Sequence, residues 1–194
     1  MTAVPKPKLT EAEYLAIENA AEFRGEYVYG QRIELPDTEP RHNLLKAHMI
    51  ALLGLQLFQI RHRSYSTTQR VRVSDAYYTY PDIVIVDECE QFFELDPNTL
   101  TNPRIVAEVL SPLTELHDRG FKFVQYRQQP SIREYVLVAH DAVRIERFVR
   151  QSHNSWLLTV FTDPNGEFSL GTIPVRVSMS DVYRHVAFPK EATP

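Results

Sequence analysis

The chain has 194 residues, 43% of them hydrophobic, which is enough apolar material for one substantial core and too little length for two full domains. A formal net charge of -4 excludes a protein that coats nucleic acid by bulk attraction, while leaving room for a local basic groove. The single cysteine, Cys89, excludes an internal disulfide and a thiolate metal cage and fits a reducing cytoplasm.

The opening Met-Thr-Ala-Val-Pro-Lys-Pro-Lys lacks the apolar core of a signal peptide, and no apolar run approaches the ~18 residues of a membrane span, so secretion and membrane insertion are not expected. Thr10, with Glu13 three residues on, predicts a capped helix running to about Phe23. Residues 26–33 carry β-forming side chains on both sides of Gly30, the pattern of a hairpin, and Pro36 and Pro40 bracket a loop. Leu45, Met49, Leu52, Leu53, Leu57 and Ile60 recur at helical spacing and predict a long amphipathic helix from His42 to about Ile60. Strands are expected at 66–73, 82–86, 104–110 and 134–138. A helical stretch over 116–128 between the last two suggests a crossover within a mixed sheet. The C-terminal third reads as antiparallel strands at 143–149, 156–161 and 168–170, with a turn at Asp163-Pro164-Asn165-Gly166 and a short helix after Ser178 or Ser180. One α/β domain over residues 1–194, frayed at both ends, is the simplest organisation. Arg61, His62 and Arg63, and also Arg70 and Arg72, are candidate groove residues that read equally as an ordinary solvated surface.

Two carboxylates stand out. Asp82 follows Pro81 at the mouth of the apolar strand Ile83-Val84-Ile85-Val86, where it could serve only as a turn residue. Glu108 lies inside the strand Ile105-Val106-Ala107-Glu108-Val109-Leu110. Alternation puts it on one face with Val106 and Leu110, in a strand that is otherwise apolar on both sides. A buried carboxylate is costly unless it is paired, hydrogen-bonded or bound to metal, so Glu108 marks either a site or an ion pair with an arginine such as Arg104 or Arg133. Further on, Asp118, Lys122 and Tyr126 share one face of the predicted helix, which by spacing alone describes a solvated stripe with an Asp–Lys pair.

The segments 24–30, 40–43, 80–86, 108–115, 118–127 and 133–138 resemble, in this order and spacing, the bacterial Uma-type restriction-endonuclease family of the PD-(D/E)xK nuclease superfamily. The resemblance implies a restriction-endonuclease-like core: a mixed β-sheet flanked by helices, with additional antiparallel C-terminal strands. It implies catalytic Asp82 and Glu108, an auxiliary acid at Glu26, and metal ligation by Asp82 and Glu108. Leu110 occupies the superfamily's usual lysine position, and the resemblance supplies Lys122 instead. Tyr29-Gly30-Gln31 departs from the family's Asp-Gly-Glu turn, which leaves Glu26 alone there. His42 and Tyr126 are assigned to substrate binding. The expected activity is Mg²⁺-dependent hydrolysis of DNA, with Mn²⁺ able to substitute, by a cytoplasmic homodimer without membrane contact. The alternative is a non-catalytic member of the same fold that binds nucleic acid or a protein and keeps the acids as ion pairs.

Overall fold

The structure is a computed structural model that describes residues 7–152 and 154–188. The fraying expected at the two termini concerns residues outside that range. Helix α1 (Glu11–Ala20) begins as its sequence predicts, with Thr10 and Glu13 closing a reciprocal capping box. It stops short of Phe23 because Ala21 takes extended backbone, and Glu18 then accepts the N–H of Gly25, which leads the chain into a strand. The predicted hairpin forms from β1 (Gly25–Val28) and β2 (Gln31–Glu34). Its two-residue loop holds Tyr29 at φ 49° and Gly30 at φ 91°, the left-handed pair that matches the twist of the flanking strands.

Helix α2 (Pro40–Leu57) continues into a tighter turn over Phe58–Ile60 and buries Leu45, Met49, Leu53 and Leu57. By length and composition Pro40–Ile60 could cross a membrane, contrary to the sequence expectation, although here one face of it lies against the core. The predicted strand at 66–73 is in fact two, β3 (Arg63–Ser66) and β4 (Arg70–Ser74), in different sheets. A turn over 67–69, closed by the Gln69 N–H on the Ser66 carbonyl at 2.8 Å, separates them. It contains neither Gly nor Pro, so nothing in its composition announces it.

There follow β5 (Tyr77–Thr79), β6 (Ile83–Val86), β7 (Phe92–Phe93), β8 (Asp96–Leu100) and β9 (Ile105–Val109). The helical stretch after β9 is α3 (Glu115–His117), a π turn over Asp118–Lys122, and α4 (Phe123–Gln128). Then come β10 (Glu134–Val138), β11 (Ile145–Arg150), β12 (Trp156–Phe161), β13 (Glu167–Ser169), β14 (Arg176–Ser178) and α5 (Met179–Val182). One sheet runs β2-β1-β5-β4-β8-β7, a second runs β12-β11-β10-β9-β6-β3, and β13 pairs with β14. Strands β9 and β10 are parallel with α3 and α4 between them, which is the crossover the sequence suggested.

Strand alternation sorts the second sheet between two cores. Ile105, Ala107 and Val109 pack on the side of α2 and the β13–β14 hairpin, while Val106 and Leu110 face β4, β5 and α4. Tyr14 of α1 stacks on Tyr27 and packs at a tilt against Tyr78 in a separate apolar cluster on the first sheet. Glu108 therefore points into the space between the second sheet, the first sheet and α4.

The β1–β2 turn offers a test of this frame. A methyl group on Gly30 would come within 2.7 Å of the Lys8 Cβ at a φ that side chains avoid. Gly30→Ala should cost about 1–3 kcal/mol of unfolding free energy in urea titration, the usual penalty for a side chain held in a sparsely populated backbone region.

Candidate active site

Strands β6 and β9 pair antiparallel with Ile83 opposite Ala107, so one residue further the register sets Asp82 across from Glu108. The two acids are cross-linked through backbone. The Asp82 N–H donates to Glu108 Oε2 at 3.2 Å, and the Val109 N–H donates to Asp82 Oδ2 at 2.9 Å. Glu108 Oε1 accepts from Lys122 Nζ at 3.0 Å and from the Tyr126 hydroxyl at 2.9 Å. His42 Nε2 lies 2.9 Å from Asp82 Oδ2, and Lys46 Nζ lies 3.6 Å from Oδ1. Both basic residues come from the first turns of α2.

Lys122 ends the π turn with its ammonium 2.9 Å from Asp118 Oδ1, 3.0 Å from Glu108 Oε1 and 3.9 Å from Glu26 Oε1. Asp118, Lys122 and Tyr126 are all buried, so the solvated stripe that their spacing described does not exist. Nor does Glu108 pair with Arg104 or Arg133. Arg104 bonds Asp87 at 3.0 Å, and Arg133 is exposed. Glu26, on β1, accepts from the hydroxyls of Thr79 and Tyr77, and His117 Nε2 lies 3.3 Å from its Oε2.

The structure thus brings Asp82, Glu108, Lys122 and Glu26 together. Tyr126 and His42, assigned from sequence to substrate, are placed differently. Tyr126 is fully buried behind Glu108 and His42 lies against Asp82, so each holds a carboxylate rather than facing a ligand. Sequence reasoning missed Lys46, although it lies four residues after His42 on one helix face. It also missed His117, whose side chain is 40% exposed beside an otherwise closed cluster. The basic residues offered as a groove are each paired with a carboxylate: Arg61 with Glu88, His62 with Asp87, Arg63 with Glu90, Arg70 with Asp96 and Arg72 with Glu11.

Burial and charge separate the two central acids. Burial works against an ionised Asp82, but the hydrogen bond and charge of His42, the Val109 N–H and Lys46 outweigh it and hold the carboxyl below its usual range. Burial pushes Glu108 up to about 8; Asp118 and Asp82 add to the rise and Lys122 only partly opposes it. Burial opposes the charge on Lys122 as well, yet Glu108, Asp118 and Glu26 around it raise its pKa well above the ordinary lysine value. It is therefore a fixed ammonium.

Four carboxyl groups, Asp82, Glu108, Asp118 and Glu26, converge on two lysine ammonium groups, with His42 beside Asp82 and His117 beside Glu26. Asp82 Oδ1 has no closer cation than Lys46 at 3.6 Å. Hard oxygen donors brought together at one point fit a Mg²⁺-type cation, which is usually held by one or two carboxylates plus water. Among the described residues no group of three or more His, Cys, Asp or Glu is arranged to hold a metal ion. The donors that fit are Asp82 and Glu108.

These shifts have a sign that can be measured. Between an ordinary carboxyl near 4.5 and its folded value near 8, Glu108 binds a proton in the folded chain that the unfolded chain has released. In EDTA, stability should fall as pH rises through that window. Glu108→Gln should flatten the fall in urea titrations at several pH values, and an unchanged slope would remove the buried acid as its cause.

A sequence-family model described as "Uma2: Putative restriction endonuclease" matches residues 11–180. Two proteins of Synechocystis sp. (strain ATCC 27184 / PCC 6803 / Kazusa) are similar throughout. Uncharacterized protein sll1609 is 29% identical over 168 residues, covering 86% of this chain and 95% of its own length. Uncharacterized protein slr1290 is 27% identical over 187 residues, covering 96% and 97%. A crystal structure from Anabaena variabilis ATCC 29413, described as a putative nuclease belonging to DUF820, superposes with a TM-score of 0.73 at 19% identity, over 90% of this chain and 97% of that one. That likeness establishes a shared fold, consistent with the restriction-endonuclease-like architecture. Because the family match spans the capped first helix, both acids, the lysine and the C-terminal strands, the chain belongs to the Uma2 family of putative restriction endonucleases.

Proposed function

We propose that this chain is a metal-dependent endonuclease that hydrolyses DNA phosphodiester bonds, with Mg²⁺ as its ion and Mn²⁺ able to replace it. The observation that carries the reading is Glu108, a buried acid facing Asp82 across two strands and fixed by Lys122. Asp82 and Glu108 would hold the cation, which when bound polarises a phosphoryl oxygen and lowers the pKa of a coordinated water. His42 and Lys46 keep Asp82 ionised and aimed. Tyr126 and Lys122 do the same for Glu108. Lys122, held as an ammonium, stabilises charge that develops on the phosphoryl oxygens and orients the attacking water; its raised pKa disfavours a role in deprotonating that water. Glu26 places a further carboxylate beside that ammonium and, through His117, links the cluster to its exposed edge.

We further propose a homodimer, since one site per chain cuts both strands of a duplex most simply through two copies related by a two-fold axis, and a cytoplasmic setting, in line with the single exposed Cys89. The second reading, a non-catalytic binding module, has one observation in its favour: Lys122, Tyr126 and the Asp82 N–H already satisfy Glu108 without metal.

Plasmid nicking separates the two. Cleavage is expected with Mg²⁺ or Mn²⁺ and not with EDTA. Asp82→Asn and Glu108→Gln should abolish it and weaken Mn²⁺ binding in calorimetry. Lys122→Gln, confirmed as folded by circular dichroism, should keep Mn²⁺ affinity near wild type while turnover falls roughly 10²- to 10³-fold, the usual cost of one electrostatic donor. Full activity of Lys122→Gln would remove the lysine from the mechanism. No cleavage of any nucleic acid by the wild type would favour the binding module.

A further inference from the structure

The catalytic cluster does not use the arginines at the far end of α4. There Arg127, Arg133 and Arg150 line a cleft of about 540 Å³ together with Ser152, Asn154 and Trp156, and no acidic side chain lines it among the described residues. Arg133 precedes β10 and Arg150 ends β11, and the Arg150 N–H bonds the Arg133 carbonyl at 2.9 Å, so the two residues are cross-strand neighbours. This is the end of the sheet away from the acids. Glu108 pairs with Leu137, four residues further along the strand from Arg133, a separation of about 13 Å at ~3.3 Å per residue.

The guanidinium groups are held in place. Arg150 donates to the carbonyls of Ile132, Arg127 and Gln129 at 2.8, 2.9 and 3.0 Å and lies 4.5 Å over the Trp156 ring. Arg127 lies 5.1 Å over Phe123. The end of α4 contributes at most roughly half a negative charge, which does not offset the charges of Arg127 and Arg133. Burial and the nearby charge of Arg133 together lower the Arg150 pKa, as expected where like charges meet. In a chain of net charge -4 whose other groove-like arginines are paired with acids, this is a concentrated positive site.

We infer that this cleft binds the phosphodiester backbone of duplex DNA outside the catalytic centre, an inference that rests on the nucleic-acid reading above. Backbone rather than base is indicated because planar guanidinium groups match phosphate oxygens, and because the Trp156 ring already carries the Arg150 guanidinium at 4.5 Å and meets Phe123 edge-on at 5.6 Å. The contact therefore adds affinity and orientation without sequence preference.

The test is binding of a labelled duplex in EDTA, followed by fluorescence anisotropy across a salt series, for wild type and the Arg127→Gln/Arg133→Gln double variant. The slope of log affinity against log salt should fall by about 1.8, two phosphate contacts at about 0.9 each. Arg127→Lys/Arg133→Lys should keep most of the slope, and the Gln variant should raise KM in cleavage with kcat unchanged. If the double variant does not fold, Arg133→Gln alone should lower the slope by about 0.9. An unchanged slope in the Gln variants overturns the inference even where wild type cleaves DNA. A lowered slope in a protein that never cleaves upholds it and overturns the endonuclease reading. Failure of the wild type to bind duplex at low salt overturns both.

Discussion

A carboxylate inside a strand that is apolar on both faces loses its water, and the cost is recovered only if donors and cations converge on it. Glu108 imposes that requirement, and the surrounding elements meet it from three directions. The start of β6 presents the Asp82 N–H, the π turn presents Lys122, and α4 presents the Tyr126 hydroxyl. Lys122 is itself too deeply buried to be tolerated with one partner, and Asp118 and Glu26 complete its surroundings. A π turn where a helix meets such a cluster is the kind of local irregularity that recurs at functional positions. The hairpin β1–β2 and the crossover after β9 are thereby tied to this buried acid, and the start of α2 joins them through Asp82.

That tie also explains how the two acids come to differ. Asp82 lies at the strand mouth, where the cationic side chains of α2 and a backbone N–H reach it. Glu108 lies directly across from it within the neighbouring strand, where burial, Asp118 and Asp82 raise its pKa and Lys122 only partly opposes them. A divalent cation would favour the ionised form of Glu108. Metal binding and the ionisation of Glu108 are thus expected to be coupled, as they are wherever a ligand must lose its proton.

Much of the fold was legible because its signals are local. The capping residues Thr10 and Glu13, the glycine of the first hairpin and the periodic leucines of α2 each act within a few residues. Glu108 was legible for a related reason: one charged residue breaks an apolar alternation. The misses are non-local. The turn at 67–69 is fixed by Gln69, whose side chain reaches the Asn98 carbonyl at 2.8 Å from a strand the sequence did not reveal. Strand β8 contains Asp96-Pro97-Asn98, which reads as a turn, and it is held instead by Arg70 bonding Asp96 and Thr99. The partner of Glu108 was out of reach of spacing arguments, since Asp118, Lys122 and Tyr126 share a helix face whether that face meets water or an acid. The family resemblance named Lys122, and the geometry gives the physical reason for its burial.

The central claim is that Asp82 and Glu108 form one cation site. Anomalous scattering from crystals soaked in Mn²⁺ tests it directly, because the ion's position is read without reference to activity. The account predicts a peak within coordination distance of both carboxylates, with Lys122 still against Glu108. A well-occupied peak elsewhere, with Asp82 and Glu108 keeping only their present hydrogen bonds, would contradict it.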